Sequence, residues 1–236
     1  MRVLVFASTG GLGKEVTSYF LKTGHCLVLA GRSAEKLEAQ ARETGCKIAV
    51  VDSDNPTSFE QAFQLAKSVL GGIDAIVSCI GTFPSGAMEK LSVDVYKSDV
   101  LANILCAHHI LTGAKQHLED GGSVILTSSC ITEVGVKNHL AIAAAKGAIE
   151  TMALNAAAEM AARKIRVNVV ALGLTKTPPT EKIWSKPDTM ERLKGAYPLG
   201  INEPASVAKA IANLAETSGV TGQKFVIDGG FSAIRA

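Results

Sequence analysis

A chain of 236 residues is long enough to bury a full core, and its composition, 47% hydrophobic and 19% charged with a formal net charge of +2, is that of a globular protein in water. So balanced a charge leaves no electrostatic footprint for nucleic acid or an anionic membrane surface, which makes small-molecule chemistry the default expectation. Five cysteines, Cys26, Cys46, Cys79, Cys106 and Cys130, are scattered singly. Their odd number and lack of metal-type spacing disfavour a disulfide framework or a structural zinc and point to a reducing, cytoplasmic setting.

The apolar start MRVLVFASTGG is too short for a signal-peptide core, and no later run approaches the roughly 18 apolar residues of a membrane span. Taken in chain order, VLVFA (3–7) reads as a strand that runs straight into ASTGGLGKE, setting Gly10, Gly11 and Gly13 at the start of the helical pattern KEVTSYFLKTG. Glycines there let a backbone approach a pyrophosphate, whose charge the unpaired amides of the helix N-terminus stabilise. A tight turn alone would use the same residues; the position in the first βα turn is what favours a dinucleotide.

The second strand, CLVLA (26–30), ends in AGRS. An acidic residue there would accept hydrogen bonds from a ribose 2′-hydroxyl, whereas Arg32 offers a planar cation suited to a 2′-phosphate, so NADP(H) is favoured over NAD(H). SAEKLEAQARETG follows, a helix with a serine N-cap, a glycine C-cap and a charged, solvated face. KIAVVD (47–52), DAIVSCIG (74–81), SVILTSS (123–129), IRVNVVALG (165–173) and KFVID (224–228) complete seven predicted strands.

Continuous apolar strands separated by helices imply a parallel sheet covered on both faces. The fold class expected is α/β: a Rossmann-type, doubly wound parallel β-sheet in three α/β/α layers, one domain over residues 1–236, with ligands outside the carboxyl ends of the strands. Residues 174–200 read as one long irregular stretch, the pattern of a substrate lid, in which Ile183, Trp184 and Met190 suit an apolar pocket. In HLAIAAAKGAIE (139–150), a single charged Lys146 interrupts a helix of small apolar residues. Snorkelling of its stem along the surface accounts for it more readily than a function does on this segment alone.

Read together, these motifs resemble the short-chain dehydrogenase/reductase family over nearly the whole chain. The family's GxxxGxG turn matches Ala7 to Gly13, with Ala7 for the first glycine, and its adenine-side aspartate matches Asp52. N-N-A-G appears as Ser78, Cys79, Ile80 and Gly81, keeping only the glycine, and RVNxxxPG appears with Leu172 for proline. The resemblance implies a nicotinamide dinucleotide lined by Ala7, Ser8, Thr9, Gly11, Leu12, Gly13, Arg32, Asp52, Ser53, Cys79, Gly81, Lys146, Thr175 and Thr177. It also implies an oxidoreductase on a small carbonyl, hydroxyl or conjugated substrate, with Ser129 orienting the substrate oxygen, Lys146 holding the nicotinamide ribose and Asn103 supporting Lys146 through water. A homodimer or homotetramer, packed through the small-residue helix 141–162, is implied as well.

One departure stands at the centre of the motif set. The family's Y-x-x-x-K spacing puts Ile142 where the proton-donating tyrosine belongs. Three readings follow: another acid substitutes, His139 being nearest at the Y-x6-K spacing of the family's enoyl reductases; the chain is a non-catalytic NADP(H)-binding regulatory or partner subunit; or water and the substrate itself supply the proton. His139 can equally be a partly exposed residue that begins the helix, and Ser129 and Cys130 are weaker acids. Tyr96 and Tyr197 are the other phenols considered, and both read more simply as packing residues.

Overall fold

The structure, a computed structural model, describes residues 1–81 and 86–234. The seven β-branched runs form seven strands, β1 (Arg2–Phe6), β2 (Cys26–Gly31), β3 (Lys47–Val50), β4 (Ala75–Ser78), β5 (Ser123–Ser129), β6 (Arg166–Leu172) and β7 (Lys224–Ile227). Between them lie α1 (Gly11–Lys22), α2 (Ala34–Thr44), α3 (Pro56–Leu70), α4 (Val93–His117) and α5 (Leu140–Met160), and after β6 come α6 (Glu181–Trp184), α7 (Pro187–Leu193) and α8 (Pro204–Glu216). Every strand pair is parallel, in the order β3-β2-β1-β4-β5-β6-β7. The winding therefore reverses between β1 and β4, and a crevice opens above their carboxyl ends.

Alternation along β1 shows why the strands are apolar throughout. Leu4 and Phe6 enter a core with Phe59, Phe63, Ile110 and Ile149 of α3, α4 and α5, while Val3 and Val5 enter a second core with Val16, Leu37 and Ile211 of α1, α2 and α8. A strand buried on both faces has no solvated side on which to place polar residues.

The helix ends follow from their caps. The Ser33 hydroxyl accepts from the Lys36 amide to start α2, and Gly45, at φ +73°, closes it in the left-handed region. Most strand boundaries move by a residue or two, and three shifts bear on the site: α1 starts at Gly11, three residues before Lys14, and β3 and β4 stop at Val50 and Ser78, with only the Val51 and Cys79 amides beyond them still bonded to the neighbouring strands. The stretch 174–200, expected to be irregular, folds in part into α6 and α7, with Pro187 opening α7 where a missing N–H leaves no bond unmade.

α3 and α4 approach so closely that a Cβ on Gly113 would lie 2.0 Å from the ring of Phe63. That ring is itself fixed, 5.8 Å from Phe6 and 5.4 Å from His117. Gly113→Ala is expected to lower stability by about 2 kcal/mol despite its gain in helix propensity, read from urea unfolding; an unchanged midpoint would mean that the helices separate freely. Among the described residues no helix is long and apolar enough to cross a membrane, and no three His, Cys, Asp or Glu side chains cluster as metal ligands do.

Candidate functional site

The glycine-rich turn joins β1 to α1 at the carboxyl edge of the sheet. Ala7, in place of the first family glycine, takes φ +56°, a left-handed conformation that glycine adopts freely and alanine only at a cost on the order of 1 kcal/mol. Its carbonyl accepts from the Gly10 amide at 3.1 Å and lies where a Cβ on Gly13 would fall, 2.1 Å away. A side chain at 13 is thus excluded by backbone alone.

The start of α1 differs from that of α2. Gly10 contributes no side-chain cap and the first turn holds no acidic residue, so among the described residues no side chain caps the leading amides of Gly11, Leu12 and Gly13, which lie ahead of the first helical bond, from the Lys14 amide to the Gly10 carbonyl. Those amides, with the helix dipole, fit the diphosphate of a dinucleotide. Across the crevice the segment after β6 closes down on the same turn: a Cβ on Gly11 would sit 2.8 Å from Cβ of Thr177 and 2.7 Å from Cδ of Pro178. The fold thus brings together Gly11 and Thr177, two residues the motif assigned to one ligand. Thr175 is buried, donating to the Gly173 carbonyl, and Thr177 is held by Thr180 and by the Trp184 indole, which donates to its carbonyl at 3.2 Å.

Ser8 is placed otherwise. It is fully buried, and its hydroxyl donates to Gln40 Oε1 at 2.8 Å while Gln40 Nε2 donates back to the Ser8 carbonyl. Its side chain serves the packing of the turn on α2, and Gln40, which no motif flagged, fixes the turn from below. Thr9, by contrast, lies beside Gly31 at the end of β2, at the mouth of the crevice.

Arg32 follows β2, exposed, and no carboxylate is paired with it among the described residues. Asp52 and Ser53 lie just past β3, where Asp52 accepts from the Asp54 amide and the His109 ring meets the Ser53 carbonyl at 3.1 Å. Burial pushes the Cys106 thiol up to about 11, with Asp52 and Asp54 acting in the same direction and Arg32 and Lys146 against it. Beyond β4, the Cys79 amide donates to the Phe6 carbonyl, its thiol is pushed up to about 12 by burial, and Gly81 follows half-buried.

Deeper in the crevice, Lys146 is 2% exposed, no surface snorkeller, and its ammonium donates to the carbonyls of Ile80 (3.1 Å) and Thr127 (3.0 Å) at the ends of β4 and β5. Burial lowers its pKa to about 8, against the opposing influence of Cys79, Cys106 and Glu150. Asn103 is buried on α4 and donates to the Asp99 carbonyl. Ser129 ends β5, its hydroxyl resting against the Leu172 carbonyl at 3.3 Å. Ile142, one turn before Lys146, is 2% exposed, so the family's tyrosine position is filled by packed hydrocarbon. His139 sits at the N-cap of α5 with Nδ1 2.7 Å from the Lys137 carbonyl, a local contact that engages neither Ser129 nor Lys146. Tyr197 stacks on Phe231 with its hydroxyl pushed up to about 12 by burial.

The family model described as Enoyl-(Acyl carrier protein) reductase matches residues 6–232. A 3-oxoacyl-[acyl-carrier-protein] reductase of Rattus norvegicus is 29% identical over 235 residues, covering 96% of this chain and 95% of the relative. Among solved structures, a short-chain type dehydrogenase/reductase from Mycobacterium ulcerans superposes with a TM-score of 0.94 at 23% identity, covering 99% of this chain and 90% of that one. A short chain dehydrogenase from Burkholderia cenocepacia, solved in complex with NADP, gives 0.86 at 24% identity, with 98% of each chain covered.

Proposed function

Because the chain belongs to the short-chain dehydrogenase/reductase family, we propose that it is an NADP(H)-dependent oxidoreductase acting on a small carbonyl, hydroxyl or conjugated substrate. The observation that carries this reading is the meeting of Gly11, at the uncapped start of α1, with Thr177, above a crevice whose floor holds the buried ammonium of Lys146.

In this reading the amides of Gly11, Leu12 and Gly13 hold the diphosphate, with Ala7 and Thr9 shaping the turn around it. Arg32 receives the 2′-phosphate, and Asp52 and Ser53 flank the adenine. Cys79 and Gly81 line the wall along β4, while Thr175 and Thr177 approach the carboxamide. The NADP-bound neighbour, alike in fold, supports the preference that Arg32 implies. When bound, the cofactor supplies a hydride. Ser129 Oγ donates a hydrogen bond to the substrate oxygen, and the Lys146 ammonium holds the ribose and lends its field to the oxyanion that develops. Asn103 supports Lys146 from α4. Ile142 has no proton to give and His139 is engaged with Lys137, so solvent in the crevice delivers the proton. Residues 174–200, with α6 and α7, act as the lid. The exposed Leu140 and Leu154 of α5 suit a homodimer or homotetramer, in a cytoplasmic setting.

A fluorescence titration with NADPH and NADH tests the cofactor, and a panel of carbonyl substrates tests the reaction. Arg32→Ala is expected to weaken NADPH binding roughly 10–100-fold, the worth of a lost charge-assisted contact, and to leave NADH unchanged. Failure of the unmodified protein to bind either dinucleotide overturns the proposal. Tight NADPH binding with turnover appearing only in Ile142→Tyr would instead identify a cofactor-binding subunit whose acid has been lost.

A further inference from the structure

One half-buried carboxylate near the crevice has no part in the scheme above. Glu150 lies one helical turn after Lys146 on α5, on the same face, with its side chain only 15% exposed. Its Oε1 accepts from Ser128 Oγ at 2.5 Å and from Thr132 Oγ1 at 2.7 Å, and its Oε2 accepts from Lys224 Nζ at 2.8 Å. Lys224, the first residue of β7, also pairs with Glu133. Burial works against the Lys224 ammonium, but these two carboxylates outweigh it and raise its pKa.

The donors converge around a single residue. Ser128 precedes Ser129, and Thr132 and Glu133 close the short 3-10 turn that follows it. The Thr132 hydroxyl lies within reach of both the Ser129 carbonyl, at 2.8 Å, and Glu150, yet it has one proton, and the carboxylate, as the charged acceptor, takes it. Ser129 itself is lightly held, its hydroxyl donating to the Leu172 carbonyl at 3.3 Å and accepting from the Ile131 amide at 3.5 Å, both long contacts. Its backbone is thus clamped on both sides while its hydroxyl stays available.

We infer that Glu150 is a positioning residue: with Lys224 it clamps the 128–133 turn and so sets the place of the Ser129 hydroxyl against the substrate oxygen. The inference rests on the reduction reading proposed above. A misplacement of about 1 Å at a reacting group can cost on the order of 100-fold, so a turn held by two hydrogen bonds to one carboxylate, itself anchored by Lys224, is a sensitive point.

The test is a double-mutant cycle with an independent physical readout. Glu150→Ala is expected to lower kcat roughly 10–100-fold with the NADPH dissociation constant changed less than about 2-fold, and Glu150→Gln, which keeps the Oε1 acceptor, to recover most of the loss. In a Ser129→Ala background, Glu150→Ala is expected to lower kcat no further. In the cofactor-free protein, amide hydrogen exchange at Ile131 and Glu133 is expected to quicken in Glu150→Ala, with exchange along β4 unchanged. Equal losses of kcat in both backgrounds, or unchanged exchange at 131 and 133, overturn the inference. If the unmodified protein turns over no carbonyl, the reduction reading fails while the exchange result still decides whether Glu150 clamps the turn.

Discussion

Gly13→Ala is expected to abolish detectable NADPH binding and to destabilise the fold by about 3 kcal/mol. The added Cβ would stand 2.1 Å from the Ala7 carbonyl oxygen and 2.8 Å from Cα of Ser8. Neither atom can yield as a flexible side chain would. Ala7 already holds a left-handed φ, Ser8 is pinned by reciprocal bonds to Gln40, and the Ser8 amide donates to the Ala30 carbonyl of β2. Relief therefore requires moving the β1–α1 turn, and the amides of Gly11 and Leu12 move with it. Urea unfolding measures the stability change and a fluorescence titration the affinity. Binding within 3-fold of the unmodified protein would show that this turn does not carry the diphosphate.

Lys146→Met is expected to act with opposite signs on activity and stability. Methionine keeps the length and loses the charge, so kcat/KM should fall roughly 100–1000-fold, as when one preorganised electrostatic contact is removed. Stability at pH 7 should rise, because an ammonium whose pKa is lowered from 10.5 to about 8 by burial disfavours the folded state by on the order of 3 kcal/mol. The sign of the pH dependence follows. Between pH 8 and 10.5 the unfolded chain retains a proton that the folded one has released, so the penalty is complete below pH 8 and is relieved as pH rises through that window. The difference in unfolding free energy between Lys146→Met and the unmodified protein should therefore shrink from pH 8 to 10.5. A constant difference across that range would show that the ammonium is better solvated than its two carbonyl partners provide.

The strands were legible because each carries a run of β-branched and aliphatic residues that no helix period explains, and the central ones, β1, β4 and β5 among them, are buried along nearly their whole length. Where strands met the crevice the same residue types continued past the last ladder bond, so KIAVVD and DAIVSCIG read longer than β3 and β4 are. α6 and α7 were missed because they are only 4 and 7 residues long, too short for a periodic signal. The glycine turn, Arg32 and Lys146 stood out because each residue type was odd for its surroundings. Ser8 did not reveal its inward direction, since its partner, Gln40, is 32 residues away. Glu150 gave no signal for the same reason: its donors lie 18 to 74 residues distant, and nothing local marks a carboxylate as theirs.

The cation that completes the Glu150 clamp belongs to β7, which joins the sheet at its outer edge, beside β6. During synthesis the glycine turn, the Ser129 turn and Lys146 all emerge before Lys224 does. A nascent chain halted between β6 and β7 holds the glycine turn, Ser129 and Lys146 and lacks the ammonium that pairs with Glu133 and Glu150. In such an intermediate the two carboxylates flank the 128–133 turn without their shared cation, so under the clamp inferred above the turn is set only when β7 docks on β6.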